Sequence, residues 1–230
     1  MMVNKKDEKI FVLIPGGWHG GWAFDSIQER LEKMGHKLFP LTLPGLEDSA
    51  PDQNKIINLD THIQFVVDML IDQGLNNVIL CGHSYGGLVI TGVADRLSER
   101  INALVYIDAY IPENGDSCWK LTSDIYRDLF IAGCSDDGFT VAVPAGTDSR
   151  RVPHPMATFL QSLRLNGNYK QIGNRVFIYA CGWEATPFKK QFEALKHNPE
   201  WHIETINCGH NIMREAPDRL ISILHEVSIK

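Results

Sequence analysis

A serine hydroxyl is a weak nucleophile at neutral pH until an imidazole stands ready to take its proton. The imidazole in turn needs a carboxylate to hold its tautomer and to stabilise its charged form. The sequence offers candidates for all three roles. Ser84 lies in Gly82-His83-Ser84-Tyr85-Gly86, after the apolar run Val78-Ile79-Leu80 and before a helix-compatible stretch. A strand that must reverse into a helix within a residue or two forces its turn residue into strained geometry. Glycines two positions either side remove the side chains that would clash there. The bare pattern also suits a tight turn that merely needs small residues; strand, pattern and helix together point to an exposed nucleophile.

Among nine histidines, His210 is the best-placed base, in a Gly209-His210 loop that follows the last strand-like run. His83, inside the turn, is expected to pack against it or shape it. Two carboxylates compete for the third role. Glu184 follows the strand-like run before the histidine strand, and Asp108 ends the run after the serine. Glu184 is preferred, because its loop directly precedes that of His210 and its longer side chain is compatible with the role; Asp108 is the alternative. A developing oxyanion needs two preorganised donors. The backbone N–H of Tyr85, just past the nucleophile, is one candidate. Gly17, in the glycine-rich loop Pro15-Gly16-Gly17-Trp18, is the other; a plain strand–helix turn is the alternative reading of that loop.

These residues need a scaffold that gathers strand ends. Ile10–Ile14 is a continuous apolar run of strand length, as expected for a strand buried on both faces. Phe24, Ile27, Leu31 and Met34 follow at helical spacing and end at Gly35. Further strands are expected at 37–41, 78–80, 103–107, 175–180 and 202–206. Thr61-x-x-Gln64 reads as a capping box opening a helix to Gly74, and Pro217 opens the last helix. Strands alternating with helices imply a mostly parallel, doubly wound α/β sheet of about six strands. Ligands gather at the carboxyl ends of such strands, where Ser84, Asp108, Glu184 and His210 all fall. The alternation breaks between 113 and 172. The chain is thus expected to be one domain over 1–230, with a core of 1–112 and 173–230 and a cap inserted at 113–172.

Composition narrows the partners. The formal charge is −6 and the charged fraction 22%, which argues against nucleic acid or an anionic membrane. The polar start around Asn4–Lys9 reads as a solvated lead-in without a secretion signal, and 46–58 as polar and turn-rich. Five cysteines, at 81, 118, 134, 181 and 208, form no C-x-x-C; neither a disulfide framework nor a metal site is suggested, and a reducing cytoplasm is expected.

With these residues placed, the chain resembles the α/β-hydrolases along nearly its whole length. It is most similar to the small branch holding plant methylsalicylate-type esterases, hydroxynitrile lyases and bacterial salicylate and pyrethroid esterases. The matching segments are 14–22, 82–87, Asp108-Ala109-Tyr110-Ile111-Pro112, Gly182-Trp183-Glu184 and Cys208-Gly209-His210. The resemblance implies carboxylester hydrolysis through an acyl-serine, no cofactor, a helical cap and a glutamate as acid. Two departures stand out. Pro15-Gly16 replaces the His-Gly with which many relatives open the first loop. Asn211 stands where the lyases carry the lysine that binds the leaving cyanide, which disfavours lyase chemistry. The expected partner is a small-molecule ester; a homodimer is left open. Trp18, His19, Trp119, Tyr126, Phe130 and Phe159 are the candidate pocket residues. For the four in the cap, core packing is an equal alternative to binding an apolar or aromatic substrate. A lyase, an acyltransferase or a ligand-binding protein without turnover are the other readings of the same fold.

Overall fold

A computed structural model describes residues 8–47 and 56–229. The expectations placed on the first seven residues, and on most of 46–58, lie outside them. Six parallel strands form the central sheet in the order β2-β1-β3-β4-β7-β8. They are β1 (Ile10–Ile14), β2 (Lys37–Pro40), β3 (Val78–His83), β4 (Ile101–Ile107), β7 (Asn174–Ala180) and β8 (His202–Ile206). The two-residue strands β5 (Thr140–Val141) and β6 (His154–Pro155) pair separately and antiparallel.

Alternation along the strands divides the core between two faces. Val12, Ile14, Leu80, Leu104, Tyr106 and Phe177 face helices α2 (Leu59–Asp72) and α3 (Gly86–Arg96). Phe11, Leu13, Ile79, Val105 and Ile178 face α1 (Asp25–Lys33) and α9 (Pro217–Ser228). Burial on both faces is why the strands read as unbroken apolar runs. α2 starts earlier than its capping signal suggested. Asn58 is the N-cap; its side chain accepts from the Thr61 N–H at 3.0 Å, and the Thr61 hydroxyl accepts from the Asn58 N–H at 3.2 Å. Thr61 is therefore the second member of the box rather than the first.

Between β4 and β7 the chain forms short pieces: α4 (Cys118–Leu121), α5 (Asp124–Ala132), β5, β6 and α6 (Met156–Leu160). Their apolar residues, Phe130, Val141 and Phe159 among them, join the α2–α3 face of the core, so this segment lies over the sheet edge that carries Ser84. The chain then returns through α7 (Lys189–Leu195), and α8 (Ile212–Glu215) follows β8.

Candidate active site

Three of the four non-glycine residues described at positive φ stand at this sheet edge: Trp18 (65°), Ser84 (54°) and Asp108 (41°). A left-handed L-residue costs about 1–3 kcal/mol and persists only where its surroundings over-determine it. Ser84 shows how. Its N–H donates to the Ile107 carbonyl at 3.3 Å, and its own carbonyl accepts from Gly87 at 3.1 Å and Tyr110 at 3.2 Å. Both flanking glycines are sterically required. A Cβ at Gly82 would lie 2.6 Å from the Gly86 carbonyl oxygen, and one at Gly86 would lie 2.6 Å from that of Ile14. The turn thus fits only against β1, and α3 begins immediately after Tyr85.

Asp108 directly follows β4 and is fully buried. Its N–H donates to the Ile178 carbonyl at 2.7 Å. One carboxylate oxygen accepts from the Ala180 N–H at 3.1 Å, the other from His210 Nδ1–H at 2.7 Å. His210 reaches it from the loop after β8. Its ring lies between those of His83, 4.5 Å away, and Trp183, 4.8 Å away. His83 also fixes the loop itself, by donating Nε2–H to the His210 carbonyl at 3.0 Å. The sequence leads one to expect His83 to pack against the Ser84 turn or shape it; the hydrogen bond it makes is instead to the His210 loop.

The preference for Glu184 is corrected by this geometry. Glu184 is exposed in the turn between β7 and α7 and lines a separate surface depression with Lys189 and Glu193. The chain leaves β7 at Ala180 and turns outward before reaching it, whereas Asp108 is held at the strand end, beside β7. The signal was present in Val105-Tyr106-Ile107-Asp108: a carboxylate abutting a buried strand has little freedom, while Gly182 and Pro187 mark the Glu184 loop as a surface turn.

Electrostatics follow burial. Desolvation lowers His210 to about 4, with the Arg151 charge adding to the effect. Its imidazole is therefore neutral at neutral pH. With Nδ1–H committed to Asp108, Nε2 carries the lone pair. Burial raises Asp108 from the ordinary carboxylate range, while the Ala180 N–H opposes that shift; the 2.7 Å contact with His210 Nδ1–H favours the pairing of carboxylate with neutral imidazole.

The first loop presses on the Ser84 turn: a Cβ at Gly16 would lie 3.0 Å from the Ser84 Cβ. Trp18 is anchored three ways. Its N–H donates to His154 Nδ1 at 3.1 Å, its Nε1–H to the Val141 carbonyl at 3.0 Å, and its carbonyl accepts from Val152 at 3.2 Å. His19 Nδ1–H donates to the Gly17 carbonyl at 2.7 Å. Among the described residues, the N–H groups of Gly17 and Tyr85 have no acceptor.

Ser84, His210, Gly17 and Tyr85 all line one cavity of about 230 Å³. Of the candidate pocket residues, Trp18, His19, Tyr126, Phe130 and Phe159 line it too. Trp119 does not; it packs, half-buried, against the core. Sequence reasoning missed Phe188 and Arg151 as lining residues. Nothing in the pattern around either residue marked it. All five cysteines are free thiols, and no described helix is long and apolar enough to cross a membrane.

Comparison with known proteins accords with this architecture. The model of the alpha/beta hydrolase family matches residues 11–223. A carbendazim hydrolyzing esterase from Nocardioides sp. (strain SG-4G) is 36% identical over 91% of this chain and 96% of its own length. Salicylic acid-binding protein 2 of Nicotiana tabacum is 33% identical over 47% of this chain and 42% of its own. Among solved structures, an extracellular alpha/beta-hydrolase from a Paenibacillus species superimposes with a TM-score of 0.81 at 22% identity, covering 95% of this chain and 98% of that one. A family match over nearly the whole chain, and a relative matched almost end to end, place this protein in the alpha/beta hydrolase family.

Proposed function

We propose that the protein is a serine carboxylesterase acting on small apolar or aromatic esters. The observation that carries this reading is the His210–Asp108 hydrogen bond, which leaves a neutral Nε2 on the same cavity as Ser84 and two unpartnered N–H groups. The end-to-end similarity to a carbendazim hydrolyzing esterase supports ester hydrolysis.

In this mechanism Ser84 Oγ attacks the ester carbonyl carbon as its proton passes to His210 Nε2. The carbonyl π electrons move to oxygen, and the oxyanion accepts from the Gly17 and Tyr85 N–H groups. Donors fixed in advance at such a position are worth several kcal/mol of barrier. Tyr85 stands at the start of the 11-residue α3, so the positive end of the helix dipole adds to the same effect. Collapse breaks the ester C–O bond, and the His210 proton leaves with the alkoxide as alcohol. Water, deprotonated by His210, then attacks the acyl-serine, and the proton returns to Ser84 as the acid departs. Asp108 holds Nδ1 protonated throughout and stabilises the transient imidazolium. Residues 113–172 serve as the cap: Phe130 and Phe159 stack at 4.4 Å over the cavity, giving it an apolar wall suited to a flat or aliphatic group.

Release of 4-nitrophenol from short acyl esters, by wild type and Ser84→Ala in parallel, tests the reading. Ser84→Ala should lose at least about 10³-fold in kcat. No turnover by folded wild type, or equal turnover by both proteins, would overturn it.

A further inference from the structure

The cavity wall carries one feature that ester hydrolysis does not use. Arg150 and Arg151 are neighbours with opposite fates. Arg150 is exposed and held by carboxylates: it pairs with Asp148 at 2.9 Å and Asp25 at 3.2 Å, and its guanidinium stacks on Trp22. Arg151 turns inward and lines the cavity together with Ser84 and His210. Among the described residues it has no carboxylate partner; Asp148, the nearest acid in sequence, is committed to Arg150.

One contact orients the side chain. Arg151 Nε–H donates to His19 Nε2 at 2.9 Å, and His19 in turn donates Nδ1–H to the Gly17 carbonyl at 2.7 Å. The two bonds are mutually consistent, since the donation at Nδ1 leaves Nε2 with its lone pair. His19, desolvated and beside Arg151, is pushed down to about 3 and stays neutral, so it cannot repel the guanidinium. The fork is therefore docked beside the Gly17 loop by its Nε, while no described residue accepts from its terminal nitrogens. Burial disfavours its charged form, yet guanidinium does not deprotonate in proteins. The Asp148 charge favours the cation without touching the fork, and a half-buried cation with no contacting carboxylate is costly unless a ligand brings one; the planar fork suits a carboxylate.

We propose that Arg151 is a specificity residue that binds an anionic group, most simply a carboxylate, carried by the ester substrate. The inference rests on the esterase reading of the same cavity. It narrows the preferred substrates to esters with an apolar body and an acidic substituent a few bonds from the scissile carbonyl.

The test compares mono-4-nitrophenyl esters of succinate, glutarate and adipate with neutral isosteres in which the free carboxylate is replaced by an isopropyl group. Wild type, Arg151→Met and Arg151→Lys are assayed, with non-enzymatic release subtracted. For at least one chain length, the ratio of kcat/KM for the acidic ester to that for its isostere should fall tenfold or more in Arg151→Met, mainly through KM. Arg151→Lys should retain part of the preference. A structural role alone would depress both esters together, and an unchanged ratio at every chain length overturns the proposal. Binding separates this outcome from failure of the esterase reading. In Ser84→Ala, quenching of tryptophan fluorescence (Trp18 and Trp183 line the cavity) reports the Kd of the same esters without turnover. Tenfold weaker binding of the acidic ester in the Ser84→Ala/Arg151→Met double variant supports the proposal even if no ester is hydrolysed; equal binding overturns it.

Discussion

Both carboxylate oxygens of Asp108 are occupied, one by the Ala180 N–H and one by His210 Nδ1–H. An asparagine there could satisfy Ala180 through its oxygen, but would turn its NH2 toward His210. That arrangement favours the imidazole tautomer with the proton on Nε2, which leaves Ser84 without a base. Asp108→Asn should therefore lower kcat by about 10³–10⁴-fold, the scale seen where the same tautomer is lost in serine proteases. Glu184→Gln, on an exposed turn, should stay within about twofold. Steady-state kinetics of the two purified variants checks this, and equal damage from both would return the acid role to the β7–α7 loop. At this scale the sequence was legible wherever local geometry decides. Ser84 and His210 stand out through glycine-flanked turns at strand ends, and the structure brings both to one cavity. The carboxylate that meets His210 did not, because loop order along the chain says nothing of reach in space. A buried residue with its backbone bound to Ile178 outcompetes a longer side chain on a surface turn.

The alternating elements could be read because burial on both faces leaves continuous apolar runs, and only boundaries moved, as when Asn58 rather than Thr61 capped α2. Residues 113–172 resisted because their helices are 4 to 9 residues long. Such pieces are too short to show a period and are set by tertiary contacts. One of those contacts has a functional consequence. His154, on β6, stacks on Phe159 at 4.2 Å, accepts the Trp18 N–H at Nδ1 and donates Nε2–H to Thr158 at 2.8 Å. It thereby fixes the Trp18 backbone at positive φ and, through the preceding peptide, the direction of the Gly17 N–H. Losing an oxyanion donor outright costs about 10²–10³ in kcat, so loosening one should cost roughly tenfold. His154→Leu is expected to lower kcat by that order with KM little changed, and His154→Gln, which can still accept from Trp18, to recover part of it. A His154→Leu protein that folds normally and keeps full kcat would show that the first loop holds its shape without the cap.

Across the whole molecule, five histidines in and behind the cavity must remain neutral: His19, His83 and His210 line it, and His62 and His154 pack against Tyr85. Burial lowers His62 and His210 to about 4 and His19 to about 3, and holds His83 and His154 well below the ordinary value. Their partners agree with neutrality: His62, for example, donates Nε2–H to the Pro44 carbonyl and accepts the Tyr85 hydroxyl proton at Nδ1. The unfolded chain has no such constraint and binds a proton at each site below about pH 6.5. As pH falls from there toward 4, the unfolded state therefore takes up more protons than the folded one. Each site removes about 1.4 kcal/mol of stability per pH unit. Asp108, pushed upward, works in the opposite sense by one proton at most. The net loss is several kcal/mol per pH unit, against a total of about 5–15 kcal/mol for a folded domain. Urea midpoints should thus be flat from pH 8 to 7 and drop steeply between 6.5 and 5. Ordinary surface carboxylates are still ionised in that window, so their titration cannot produce the drop. Stability that holds constant down to pH 5 would mean that these imidazoles accept protons in the folded state, and the neutral base assigned to Ser84 would then need another origin.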